Sequence, residues 1–146
     1  MNTKLTTAEK WAFINELDDE LLKGGATMSE WCVLIVRECD YAFVAGANLA
    51  TIITAVAAIE TYLRAEYACN HRIRLTDLID QSPINQSLRD QIHNLRKYRN
   101  KWVHISSPEN DEKVLNSGEN YEKELEGWAK LAQRILRLTI YENQFI

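Results

Sequence analysis

An all-helical, single-domain fold follows from three features of the sequence. The 146 residues contain only 2 prolines and 5 glycines. Apolar side chains recur at steps of three and four along most of the chain, and no long run alternates apolar with polar residues as a half-buried strand would. With 46% apolar and 26% charged residues, one chain of this length can enclose one core. The expectation is a bundle of about five helices over residues 1–146.

Thr6 or Thr7 supplies an N-cap for a first helix running to about Lys23, where Gly24 and Gly25 stop it. Ser29 caps a second helix, Glu30 to about Ala45, with Trp31, Leu34, Ile35 and two cysteines on its apolar side. After a break at Gly46 and Asn48, a third helix spans about Leu49 to Cys69. Its first half is apolar nearly all round (Ile52, Ile53, Ala55, Val56, Ala57, Ala58, Ile59), the pattern of a central helix surrounded by others. A loop with a short helix leads through Asp77 to Asp80. Ser82 as N-cap and Pro83 in the first turn open a fourth helix that runs to about His104. The acidic stretch Ser106 to Asn120 reads as a surface loop holding one helical turn. A last helix, about Tyr121 to Tyr141, carries Tyr121, Leu125, Trp128, Ala132, Ile135 and Thr139 on one stripe, widened by Leu131 and Leu138.

Cys32, Cys39 and Cys69 are odd in number, form no CxxC pair and lack a histidine at metal-ligand spacing, so they read as buried thiols of a reducing compartment. The polar start of the chain is unlike a signal peptide, and the apolar run Leu49 to Ile59 is too short to span a bilayer. A cytoplasmic protein with no membrane partner is expected. Trp11, Trp31, Trp102 and Trp128 read as core, with Trp102 also placed to stack on a base. Glycine-rich phosphate loops, a GxSxG elbow, HExxH and acidic magnesium patterns are all missing, so no metal and no cofactor is expected.

Chemistry concentrates on the fourth helix. The overall charge is −4. Between Ile84 and His104, however, Arg89, Arg96, Lys97, Arg99 and Lys101 face Asp90 alone, a local +4, while Glu109 to Glu126 carries −5. A focused basic patch on an acidic protein points to an anion site. The stripe Leu88, Ile92, Leu95, Arg99, Trp102 sets an arginine in an apolar row, where a guanidinium needs an acid, a cleft or a bound anion. His104 follows five residues later; imidazole exchanges protons near neutral pH and guanidinium forks onto phosphate oxygens. Asn100 and His104 share a helix face, so Asn100 can orient the imidazole, with Lys97 and Lys101 adding positive potential on that side. Arg99 lies roughly 140° round the helix from His104. A two-fold dimer of such helices would bring both groups into one cleft.

A purely structural reading stands beside this one. Arg99 then pairs with an acid such as Glu60, His104 caps the helix C-terminus, and Glu60 forms a plain i,i+4 pair with Arg64. His71, in His71-Arg72-Ile73-Arg74, adds either a nucleic-acid contact or a solvated loop. His93 and Cys69 show no partner at useful spacing.

Arg99-Asn100-Lys101-Trp102-Val103-His104 resembles the Rx4-6H signature of HEPN domains. Ala57-Ala58-Ile59-Glu60-Thr61-Tyr62-Leu63-Arg64 resembles the family's central helix. The resemblance implies a helical bundle that dimerises with its motif helices facing each other, and a metal-independent endoribonuclease acting as a toxin or in phage defence. Arg99 and His104 would then be the catalytic pair and Asn100 their support, with Arg96, Lys97, Lys101 and Glu60 contacting substrate. The implied partners are RNA, a second copy, and an antitoxin or another defence-system subunit. Chemically, an RNA 2′-hydroxyl would attack the adjacent phosphate, with His104 in proton transfer and Arg99 on the pentacoordinate phosphate, leaving a 2′,3′-cyclic phosphate. Members silenced by nucleotidyltransferase partners resemble RxxxxHxY, whereas Ser106 stands at the tyrosine position here. The alternative is a HEPN-like subunit that binds RNA, a nucleotide or a protein without cutting. A third possibility is a monomeric structural bundle.

Overall fold

The computed structural model describes residues 4–70 and 72–146; the reading of His71 falls outside them. The described residues form six helices: α1 Thr7–Leu21, α2 Glu30–Val44, α3 Asn48–Tyr67, α4 Leu75–Gln81, α5 Gln86–Val103 and α6 Glu112–Ile140. No strand accompanies them among the described residues; a single antiparallel bridge joins Gly25 to Phe145. The sixth helix beyond the expected five long ones is α4, the short helix expected through Asp77 to Asp80, which runs two turns from Leu75 to Gln81.

α3 is the axis of the bundle, packed between α2 and α6 and touching α4 and α5. Ile52, Ala55, Val56, Ala58, Ile59, Tyr62 and Leu63 are all buried along it. They meet Cys39 and Phe43 of α2, Ile92 and Leu95 of α5, and Ala132, Ile135 and Leu136 of α6 in one core. The alanines keep neighbouring backbones close. No helix among the described residues is long and apolar enough to cross a membrane.

Two caps are as expected from the sequence. Thr6 accepts from the Glu9 amide, and Ser29 accepts from that of Cys32. The opening of α5 differs. Asn85, not Ser82, caps it, its side chain accepting from Leu88 N at 2.8 Å. Ser82 is buried and donates its hydroxyl to Leu78 O at 2.6 Å, closing α4. The carbonyls of Ser82 and Ile84 are both taken by the Arg89 guanidinium, so the Ser82–Asn85 turn is held from within α5. The acidic stretch also departs from a loop, becoming helical from Glu112 with a kink at Ser117 (φ −134°, ψ 26°).

Several side-chain expectations are corrected. Trp31 is 74% exposed, and Leu34, Trp11 and Leu131 are also exposed. Cys32 and Cys39 are buried but Cys69 is exposed. Trp102 and Trp128 lie only part-buried against the core, so none of the four tryptophans is a fully buried core residue. The reason on α2 is geometric: Cys32, Cys39 and Phe43 define its inner face, and Trp31, one residue before Cys32, is rotated about 100° away.

Buried charge ties the other end of the bundle. Arg137, 2% exposed, pairs with Asp18 at 2.9 Å and Asp40 at 3.0 Å. Tyr141 adds its hydroxyl to Asp18 at 2.7 Å. Burial works against the Arg137 charge, yet Asp40 and Asp18 outweigh it and hold the guanidinium above its ordinary pKa. One arginine thus fastens α6 to α1 and α2.

Candidate functional site on α5

The buried row on α5 is Leu88, Ile92, Leu95 and Tyr98. Tyr98, not Arg99, fills the place after Leu95. Steps of three and four both suit a helix, and the aromatic ring takes the inner position while Arg99 stands half-buried beside it. The Tyr98 ring stacks on Trp128 of α6, with centroids 4.3 Å apart and planes 10° from parallel. Its hydroxyl donates to Glu124 Oε2 at 2.8 Å. Burial raises its pKa to about 12, with the Glu124 carboxylate among the groups that favour the protonated phenol. Lys101 Nζ lies 5.4 Å from the centroid of the same ring, a cation–π distance. Trp102 meets Tyr121 edge-on at 5.6 Å. These contacts hold the basic end of α5 against the start of α6's long straight section.

Arg99 Nε donates to the side-chain oxygen of its neighbour Asn100 at 2.9 Å. The expected hydrogen bond from Asn100 to His104 is therefore not the one formed. Partial burial, opposed by Glu60 and aided by Arg96, draws Arg99 below the ordinary guanidinium value. Glu60 itself pairs with Arg64 across one turn of α3, Nε to Oε2 at 3.1 Å, the plain pair foreseen from spacing. Arg64 also donates to Ile73 O at 2.8 Å. Arg96 differs from both: its Nε is enclosed and finds no acceptor among the described residues. An enclosed, unsatisfied donor is costly, and here it lies within electrostatic reach of Arg99.

His104 is the C-cap of α5 (φ −128°, ψ 64°), its amide bonded to Asn100 O at 3.0 Å and its side chain exposed. No hydrogen bond joins it to Arg99. Lys97 and Lys101 are exposed. The structure thus gathers Arg96, Arg99, Asn100 and the Glu60–Arg64 pair, and leaves His104 at the open end of the helix. Val103 and Ile105 on either side of it are also exposed. Among the described residues no three His, Cys, Asp or Glu side chains group to hold a metal ion.

Sequence reasoning missed three groups. Tyr98 was signalled only by the ambiguity between positions 98 and 99. His93 does have a partner, Asp80 Oδ1 at 2.7 Å from Nε2, but it sits 13 residues back on α4. The Arg137 network joins positions more than 90 residues apart and leaves no local trace. The chain matches no family model, no curated protein and no solved structure.

Proposed function

We propose that this chain is a metal-independent endoribonuclease of the HEPN type, a toxin or phage-defence effector that cuts RNA at a site shared by two copies. The observation that carries this reading is the contrast on α5. A half-buried Arg99 stands beside an Arg96 whose enclosed Nε has no acceptor among the described residues, while a histidine waits at the exposed end of the same helix. The half-buried Arg99 guanidinium, with the Arg96 charge beside it, fits phosphate oxygens, and an exposed imidazole fits proton transfer.

His104 of one copy takes the proton from the RNA 2′-hydroxyl. The oxygen attacks phosphorus, the bond to the 5′-oxygen breaks, and the departing oxygen is protonated by the second copy's imidazolium, or more slowly by water where that histidine is missing. The products are a 2′,3′-cyclic phosphate and a 5′-hydroxyl, with no net proton consumed. Arg99 neutralises the charge gathered on the phosphate oxygens, and Asn100 holds it through the 2.9 Å bond to Nε. Arg96, Lys97 and Lys101 engage flanking phosphates. Glu60 fixes Arg64 and favours the charged form of Arg99, so it acts on the substrate through the arginines beside it. Dimerisation through α5 belongs to the proposal, because in one chain Arg99 and His104 are not joined.

Mixing two variants tests it. Arg99→Ala and His104→Ala should each be inactive alone, whereas dimers formed from a mixture regain a measurable part of the cleavage. Failure of rescue by folded, exchanging dimers would place both groups in one chain or remove catalysis altogether. The basic face of α5, with Lys97 and Lys101 exposed on it, equally favours a second reading, a HEPN-like subunit that binds RNA, a nucleotide or an antitoxin without cutting. A salt-dependent RNA complex with no turnover marks that outcome.

A further inference from the structure

The exposed side of α2 carries more apolar surface than the fold uses. Trp31 is 74% exposed, Tyr41 52%, Val33 44% and Leu34 39%, and Trp11 of α1 meets Tyr41 edge to face at 6.4 Å. Aromatic side chains of this size bury ~150–250 Å² each. The patch therefore approaches on the order of 500 Å², the upper range for a monomer surface. It falls short of the ~800 Å² that one partner contributes to a standard interface, a gap that polar residues at its rim would fill.

Charge and shape on this face are arranged about its middle. α2 runs from Glu30 to Val44, so its midpoint lies at Arg37. Arg37 and Glu38 are adjacent and exposed there, and no ion pair joins either to another described residue. Trp31 stands about six residues to one side and Tyr41 four to the other. A two-fold axis crossing α2 near Arg37 makes the helices antiparallel. It then seats each Trp31 by the other copy's Tyr41 and Trp11, and each Arg37 within reach of the other copy's Glu38. A closed two-fold contact needs this self-complementarity, and an aromatic core with a charged pair is common interface anatomy.

We infer that the outer face of α2 is a homotypic interface, on which a second copy of this chain packs antiparallel through Trp31, Leu34 and Tyr41 with reciprocal Arg37–Glu38 pairs. α2 packs on α1 and α3, while α5 packs on α3, α4 and α6. This contact therefore leaves α5 free and is independent of the proposed catalytic dimer. Where both form, they link dimers into larger assemblies.

Sedimentation equilibrium of the full chain tests the inference, with circular dichroism confirming that each variant is folded. Trp31→Glu should remove one step of association, weakening it at least tenfold, whether the wild type is a dimer or a larger species. Arg37→Glu, which sets like charges together, should weaken association, and Arg37→Glu with Glu38→Arg should restore it. A monomeric wild type would overturn the inference. So would association that all three variants leave unchanged, or a double variant no better than Arg37→Glu. None of these readouts depends on RNA cleavage.

Discussion

Arg96→Met separates a residue kept for binding from one kept for folding. The enclosed Nε of Arg96 has no acceptor among the described residues, and an unsatisfied buried donor costs about 1–3 kcal/mol. Methionine preserves the apolar contact of the arginine stem and removes the donor. Only the Nε is enclosed while the residue is part-exposed, so the gain lies near the low end, about 1 kcal/mol. For a chain of this size that is roughly 3 °C in Tm. Binding should move the other way. Loss of one phosphate contact on single-stranded RNA lowers the salt slope of log K by about 0.7. Urea unfolding gives the first number. Fluorescence anisotropy of an uncleavable 2′-O-methyl RNA across a salt series gives the second. A variant destabilised by more than about 1 kcal/mol, or one with an unchanged salt slope, would refute the reasoning and make Arg96 a structural residue.

Further outcomes follow from the same geometry. Arg137→Met should destabilise by about 3–5 kcal/mol, because it leaves Asp40 charged and enclosed without its partner; Asp40→Leu in the same chain should recover most of the loss in urea unfolding. The Tyr98 phenol has a folded pKa of about 12 against an unfolded value near 10. Its contribution to stability is therefore whole below pH 10 and disappears as pH rises towards 12. Tyr98→Phe should show a shallower alkaline loss of Tm than the wild type over that interval, and an identical loss would remove Tyr98 from the account. His104→Ala, at an exposed C-cap, should change stability by no more than about 0.5 kcal/mol, so that any lost activity is read as chemistry in a thermal melt run beside the assay.

What the sequence disclosed was what depends on neighbours in the chain. The caps at Thr6 and Ser29 are local hydrogen bonds, and the all-apolar first half of α3 announces a central helix. At the start of α5, Ser82-Pro83 and Asn85 are both valid caps. The Arg89 guanidinium, which binds the turn carbonyls, decides between them. Positions 98 and 99 are equally good steps from Leu95 for the buried row; the Trp128 ring, supplied by α6, selects Tyr98 over Arg99. Hydropathy alone points Trp31 inward, although Cys32 and Cys39, one heptad apart, mark an inner face about 100° away from it. At the site, the basic character of α5 and the Glu60–Arg64 pair were legible from spacing. The Arg99–Asn100 bond, the unsatisfied Arg96 Nε and the Tyr98–Glu124 contact depend on side-chain packing that spacing does not encode.

Cleavage of a mixed-sequence RNA in EDTA by the purified chain, beside His104→Ala and with the product ends analysed, tests the central claim most directly. The account predicts 2′,3′-cyclic phosphate ends from the wild type and intact RNA from the variant. Equal cleavage by both proteins, or a folded wild-type dimer that binds the RNA and leaves it whole, would contradict it.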